Sequence, residues 1–576
     1  MSHPNQKIIL RNFHNMNRLL AILFLLPLFS QAQSTYVPLN EDYHHWVERY
    51  EIKSGRVMPN LFTSVKPFKR SEIISLVDSL GEEQFTSRAD QFNLEYLKND
   101  SWEWSDSTTN DSKRPVLKYF YRKKSDLYHV QEKWFDLHVN PVLYVGAGKD
   151  SRISDDVLFI NTRGVEVRGM VDKKVGFYTY LTDNQSVLPS HAADYLGSNL
   201  VIPHEGFWKK FKDGPGVDFL QARGYITFQA TRHINFQFGH DRFFLGNGYR
   251  SLVFSDFAPP TWFIKWNVKV WKINYLFLLN QMVADAYGTM DGLTASTKGY
   301  PNKFSALHHL SINIGKKVTL GIFESVIFSP DDPNGTDHFR LDYLNPLIFY
   351  RAIEQQNGSS DNVLLGFDFK VNPVRNLSFY GQFLLDEFVI SHIRAKDGWW
   401  ANKFGVQVGG KYIDAFGLPN LDLQGEINIV RPYTYSHGTE YGDYSSYRQP
   451  IAHPLGANFN EAVGILRYQP VPRLFITGKL ALIKIGRDAG GLNWGSDVLK
   501  TNFPIPQQFG NKIGQGVENN IMFGSFTASW QLKHNLFIDG TLVIRNSESQ
   551  LPQYNNDATI ASMAVRLNIP QRLYEF

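Results

Sequence analysis

Cysteine is absent from the 576 residues. Disulfide staples, thiolate nucleophiles and Cys-based metal sites are excluded with it, so stability must come from packing and backbone hydrogen bonding. Long apolar runs are missing too: after Ala32 none approaches the about 20 residues a helix needs to cross a bilayer. Nor is there an excess of one charge. With Lys+Arg 59 against Asp+Glu 55, the formal charge is only +4. Such a balance gives no argument for nucleic acid, or for an anionic surface, as a partner of the chain as a whole.

One shorter apolar run stands at the start. Lys7, Arg11 and Arg18 precede the run 19–29, and Ser30-Gln31-Ala32 then offers small residues at the two positions a signal peptidase reads. A charged n-region, an h-region of this length and an A-x-A-like end make a secretory signal, with cleavage expected after Ala32 and Met16 as a second candidate start. Removing 1–32 takes away three basic residues and no acidic ones, which lowers the formal charge from +4 to +1.

Aromatic residues make up 14% of the chain, yet its mean hydropathy is negative. That combination suits strands with one apolar and one wet face. From Trp134 onward the pattern has period two. Val363, Leu365, Phe367, Phe369 and Val371 alternate with other residues, as do Leu421, Leu423, Ile427 and Ile429. Successive strand side chains face opposite surfaces, so alternation of this kind predicts strands exposed to two media. Eighteen such segments are expected: 134–145, 157–171, 173–183, 217–232, 233–243, 262–272, 274–285, 304–316, 317–328, 361–372, 375–388, 402–414, 420–432, 458–470, 472–485, 517–532, 535–546 and 558–569. Their connections run long, short, long, short. Short ones carry turn residues, as in Asp172-Lys173 and Lys533-His534-Asn535; long ones include 184–216, 244–261, 286–303, 329–360, 433–457 and 486–516. A sandwich has no reason to place every long loop at one end, whereas an outer-membrane barrel does. The expected class is therefore all-β, a closed antiparallel transmembrane barrel over 134–576, located in the outer membrane. The final Leu573-Tyr574-Glu575-Phe576 offers a terminal aromatic of the kind barrel-assembly machinery reads.

Residues 33–98 read differently. Tyr43, Trp46, Val47 and Tyr50 recur at helical spacing behind a cap at Asn40, and Ile73, Ile74, Val77 and Leu80 do so behind Ser71. A small periplasmic helical domain or plug is expected there. Residues 99–133, beginning with a run rich in Ser, Asp, Asn and Thr, are expected as a linker.

The densest constellation is the segment 239–260. Gly246-Asn247-Gly248 permits a tight turn, while Asp241, Arg242, Arg250 and Asp256 supply two charges of each sign beside Tyr249. One reading is a ligand surface, with Arg and Asp bonding sugar hydroxyls. The other is an inward-folded loop whose charges pair to stiffen the barrel mouth. Trp399-Trp400 and the group Tyr433, Tyr435, Tyr441, Tyr444, Tyr447 fall in long outer loops, where aromatics serve either sugar stacking or the membrane-interface belt. Asp331-Asp332-Pro333-Asn334-Gly335-Thr336-Asp337 has oxygen ligands and a Gly turn but no downstream bidentate Glu, so it reads as an acidic loop tip. The pairs His44-His45 and His308-His309 point neighbouring rings apart, which is poor metal geometry. No triad or metal set stands out, and neither catalysis nor a cofactor is expected.

Two regions carry a resemblance: Tyr36-Val37-Pro38-Leu39-Asn40 through Ser64-Val65-Lys66-Pro67-Phe68, and Phe244-Leu245-Gly246-Asn247-Gly248-Tyr249-Arg250-Ser251-Leu252 with Ser255-Asp256-Phe257. In these the chain resembles the capsule-assembly Wzi family, including its gliding-motility members. The resemblance implies an eighteen-stranded outer-membrane barrel with an N-terminal helical plug, acting as a lectin for surface polysaccharide. Expected partners are then cell-surface polysaccharide, outer-membrane lipid and gliding or capsule-export machinery, with no nucleic acid. The alternative is a channel or transporter for small solutes, which the fold equally permits. If the chain is a lectin, its ligand site is expected on the outer side, from Asp241, Arg242, Tyr249, Arg250 and Asp256 with Trp399 and Trp400.

Overall fold

The computed structural model describes residues 34–576 except 82–83, 107, 213, 285–299, 333–338, 346–349 and 358–360. The export signal expected over 1–32, and most of the acidic turn at 331–337, lie outside the described residues.

Among the described residues eighteen antiparallel strands close into a barrel. The first six are β1 (Phe135–Asp150), β2 (Ile153–Val171), β3 (Val175–Val187), β4 (Gly216–Gln229), β5 (Ile234–Asp241) and β6 (Thr261–Val270). There follow β7 (Ile273–Val283), β8 (Asn302–Ile314), β9 (Val318–Phe328), β10 (Asn362–Val374), β11 (Leu377–Glu387) and β12 (Lys403–Tyr412). The last are β13 (Leu421–Val430), β14 (Phe459–Val471), β15 (Leu474–Arg487), β16 (Val517–Lys533), β17 (Leu536–Ser549) and β18 (Ala558–Leu567). At the seam Ile560 of β18 stands opposite Asp150 and Leu567 opposite Leu143 of β1. Closure is what a bilayer demands, because a backbone N–H or C=O left unpaired in lipid costs several kcal/mol. Among the described residues no helix is long and apolar enough to cross a membrane.

The alternation resolves into two faces. In β13, Asp422, Gln424, Glu426 and Asn428 are buried inside, while Leu421, Leu423, Ile427 and Ile429 point outward. The apolar face is thus the outer one, as in other barrels that face lipid. The connection expected over 146–156 shrinks to Ser151-Arg152, since β1 and β2 keep pairing out to Asp150 and Ile153. Gly146, Ala147 and Gly148 are too small to show alternation, so the backbone ladder there left no mark in the side-chain pattern. The chain does not stop at the wall either. After Leu567 it turns into the lumen, so Phe576 lies within the barrel, 5.0 Å from the Arg250 guanidinium, and not at the end of a strand.

Three helices fill the end of the lumen that carries the short turns: α1 (Glu41–Ser54), α2 (Arg70–Asp78) and α3 (Arg88–Asp100). Asn40 caps α1, its side-chain oxygen accepting from Asp42 N at 3.1 Å and Tyr43 N at 3.3 Å. Ser71 does not cap α2. That helix starts at Arg70, two residues earlier than a Ser71 cap implies, and the Ser34 hydroxyl accepts from Ser71 N instead. The third helix, unforeseen in the sequence reading, begins with a capping box between Ser87 and Asp90. Tyr43, Trp46, Tyr50, Phe68, Ile73 and Leu97 make a core among the helices, and Phe475 of β15 packs against it.

Polar side chains of α1 meet the inner wall. Glu48 is paired with Lys66 at 2.7 Å and with Lys411 of β12. Arg49 reaches Asp414 at 2.5 Å and Asp422 at 3.3 Å. Burial would raise the Glu41 carboxyl, but Lys479 and Arg467 outweigh it and bring it down to about 2. The described residues of 99–133 make tertiary contacts: Trp102 Nε1 donates to Asp126 at 2.6 Å, and Tyr128–Gln131 pairs with the lower part of β1.

Candidate functional site

The β5–β6 connection, residues 242–260, folds into the lumen as a strap between helices and wall. Its Phe244–Leu245 pairs with Val65–Lys66, and Gly246 N donates to Ser64 O at 2.8 Å. Next to it Glu426 of β13 accepts from the backbone N–H of Tyr249 at 2.6 Å and of Arg250 at 3.0 Å. A Cβ on Gly248 would lie 2.6 Å from that same carboxylate, so only glycine leaves room for the cradle.

Arg250 is 8% exposed. Its guanidinium pairs with Glu461 of β14 at 3.0 Å and with Glu575 at 2.7 Å. The Tyr249 hydroxyl donates to Glu575 and accepts from Lys479 of β15 at 3.0 Å. Asp241 is buried 3.8 Å from Arg223, and Arg242 bonds the His204 carbonyl with Glu205 at 3.6 Å. Asp256 alone of the five is exposed; its carbonyl accepts from His204 Nδ1 at 3.4 Å. Tyr249, Arg250 and Arg242 border a polar chamber of about 300 Å³, walled also by Glu41, Lys479 and Glu575.

The β13–β14 connection, 431–458, lies over this strap. Tyr435 OH donates to Leu252 O at 2.7 Å, and Ser255 N donates to Ile451 O at 2.8 Å. Tyr433, Tyr435 and Tyr444 are fully buried, not exposed as their place in a long loop suggested. Each hydroxyl has a partner inside, which is what lets a tyrosine serve as core.

Trp399 and Trp400 form a separate group on the β11–β12 connection. A one-turn helix, α6 in chain order (α4 being Ser190–Asn199 and α5 Tyr350–Asn357), spans Ile390–Ala395. Its His392 stacks on Trp399 with centroids 4.6 Å apart and shares Asp397 at 2.6 Å. Trp400 meets Phe503 edge-on at 5.2 Å, with Lys403 Nζ 5.4 Å from its ring. Gly510 N to Asp397 O and Asn511 N to Gly398 O, both 2.8 Å, tie this loop to the β15–β16 connection. Both tryptophans are half-buried, and Phe503, Phe509, Arg394 and Lys396 stand exposed around them.

No family model matches the chain, and no curated protein does. Among solved structures it is similar to Wzi of Escherichia coli, described as an outer-membrane protein involved in group 1 capsule assembly and a carbohydrate-binding β-barrel. The TM-score is 0.56 with 13% identity, covering 93% of this chain and 100% of that one. It is also similar to OprD of Pseudomonas aeruginosa (TM-score 0.41, 11% identity, 76% and 96% covered) and to OccK8 (0.41, 10%, 75% and 98%). This chain is an outer-membrane β-barrel. At such identities the likeness speaks for the fold and not for residues.

The barrel therefore brings Tyr249 and Arg250 together in mid-lumen, keeps Asp241 and Arg242 nearby, and sets Trp399 and Trp400 among the outer loops with different partners. Sequence reading missed the companions of these residues. His392, Phe503 and Phe509 join the tryptophans from two loops, and Glu461 and Glu575 neutralise Arg250 across hundreds of residues. Among the described residues no group of three or more His, Asp or Glu side chains is placed to hold a metal ion.

Proposed function

We propose that this barrel binds polysaccharide at the cell surface, with the shelf around Trp399 and Trp400 as its contact and the 242–260 strap as the scaffold beneath. The observation that carries the reading is the shelf itself. Flat rings of His392, Trp399, Trp400, Phe503 and Phe509 gather at the long-loop end. Arg394 and Lys396, exposed beside them, have no carboxylate partner among the described residues. Aromatic faces stack on sugar rings and charged donors bond hydroxyls or carboxylates, each contributing on the order of 1–2 kcal/mol. Likeness in fold to a carbohydrate-binding barrel supports the same reading. In it Asp241, Arg242, Tyr249, Arg250 and Asp256 belong to the scaffold around the lumen chamber rather than to the contact, and helices α1 to α3 act as a periplasmic plug. Capsule-export or gliding machinery would then be the partner that uses the bound polymer.

A deletion strain tests this. It should shed surface polysaccharide into the medium, or spread less on a surface, and the wild-type gene should restore the phenotype. A gene carrying Trp399→Ala and Trp400→Ala should fail to restore it at normal protein level. Full rescue by that gene would move the contact elsewhere.

A further inference from the structure

Residues 112–124, Ser-Lys-Arg-Pro-Val-Leu-Lys-Tyr-Phe-Tyr-Arg-Lys-Lys, carry six basic side chains and no acidic one. Against a chain of near-balanced charge this is a sharp local excess. The stretch is an ordered hairpin. Val116 N donates to Phe120 O at 2.8 Å and Phe120 N to Val116 O at 2.9 Å, with Leu117 and Lys118 in left-handed backbone at the tip (φ 49° and 65°). Its base is clamped by Lys124 N to Asn110 O at 2.7 Å, and by buried Asn110 bonding Ser125 at 2.8 Å.

Two properties of the tip point to one kind of surface. Val116, Leu117 and Tyr119 are 53%, 75% and 63% exposed, an apolar group that water alone does not favour. Around it Lys113, Arg114, Lys118, Arg122 and Lys124 have no carboxylate partner among the described residues; only Lys123 is paired, with Asp111 at 2.7 Å. Position supplies a third. Phe120 touches Tyr128 at 6.4 Å, and Tyr128, in the short strand beside β1, is exposed on the wall. A few residues on, Lys133 lies 4.4 Å over the ring of exposed Trp134. The same pairing recurs at the β6–β7 turn, where Lys272 lies 5.2 Å from the ring of exposed Trp271. Exposed Trp beside Lys at the end of a membrane strand marks the lipid–water boundary, and short turns mark the periplasmic end of a barrel.

We propose that the 111–124 hairpin lies on the periplasmic leaflet, with Leu117 and Tyr119 in the headgroup–acyl boundary and its cations on the phosphates of anionic phospholipid. Apolar groups ringed by Lys and Arg are what interfacial anchoring uses. The hairpin would hold the barrel's rotation and depth where the wall between β18 and β1 is completed by the short strand.

The absence of native cysteine makes the test clean. Leu117→Cys, labelled with an environment-sensitive fluorophore, is reconstituted as the full barrel into vesicles of phosphatidylethanolamine and phosphatidylglycerol, or of phosphatidylcholine alone. Folded material is selected by heat-modifiable migration. Emission should shift to the blue in the anionic vesicles, and lipids with brominated acyl chains should quench it while aqueous iodide does so weakly. Adding Lys113→Ser, Lys118→Ser and Lys124→Ser should remove roughly half of the shift or more, since each cation contributes separately near an anionic surface. Full iodide quenching in the anionic vesicles would overturn the proposal, leaving the tip free for an acidic protein or polymer. A shift of equal size in phosphatidylcholine, untouched by the triple substitution, would overturn it as well.

Discussion

Arg250 illustrates how a residue's type and its alternative roles are legible while its partners are not. A loop arginine beside tyrosine and aspartate suits sugar binding on paper. In the fold its guanidinium meets Glu461 at 3.0 Å and Glu575 at 2.7 Å, partners that no local spacing could reveal. Arg250→Ala takes the guanidinium from buried Glu461 and from Glu575, leaving them only His453 at 2.8 Å and Lys479 at 3.6 Å, and breaking a buried pair of this kind typically costs about 3–5 kcal/mol. The expected result is a lower yield of heat-modifiable barrel, with polysaccharide binding of the folded remainder unchanged; weakened binding at normal yield would restore Arg250 as a contact. His44 makes a prediction about pH. Burial, helped by the Lys66 cation, pulls its imidazole from 6.5 down to about 3. The folded chain keeps the ring neutral where the unfolded chain takes up a proton. Stability from this group is therefore complete above pH 6.5 and drains away as pH falls toward 3, by at most about 1.4 kcal/mol per unit. The Glu41 carboxylate adds loss only below its ordinary 4.5, toward 2. Between 6.5 and 4.5, then, wild-type melting should decline with acid and that of His44→Phe should decline less. Equal slopes would mean that His44 is not held neutral.

Elements separate into those that side-chain pattern encodes and those that tertiary contacts impose. Alternation located the strands well because each one faces two media, and a slip by one residue would turn every apolar side chain inward. It failed at 146–148, where Gly-Ala-Gly has no face to read, and the hairpin is continued by backbone pairing alone. The helix Arg88–Asp100 is legible through its capping residues Ser87 and Asp90, three residues apart, a start signal that the expectation for 33–98 leaves unused. The inward course of the strap 242–260 is one of the two readings its charges offer, but its distant partners are not legible, and neither is the lumen course of the segment after Leu567, since nothing local names a contact hundreds of residues away. The helices α1 to α3 yield a prediction at this scale. Barrels of about 16–18 strands are wide enough for water to pass, so deleting 36–98 should raise small-solute uptake or antibiotic sensitivity. Unchanged uptake would assign closure to the strap and the outer loops alone.

For the whole molecule, closure of eighteen strands, an apolar outer face and a polar interior follow from one requirement, that every backbone group find a partner where lipid offers none. Function does not follow from that requirement, because barrels of one architecture serve as channels and as binding proteins alike. What distinguishes the binding account is a lumen crossed by helices and a strap, under an aromatic shelf that faces outward. The most direct measurement is equilibrium binding of the purified barrel to the surface polysaccharide of its own cells, beside the Trp399→Ala, Trp400→Ala double variant with the same heat-modifiable migration. The account predicts saturable binding by the wild type and a loss of about tenfold or more in the variant, equivalent to about 1.4 kcal/mol. Wild-type protein that binds no polysaccharide, or a variant that binds as well, would contradict it.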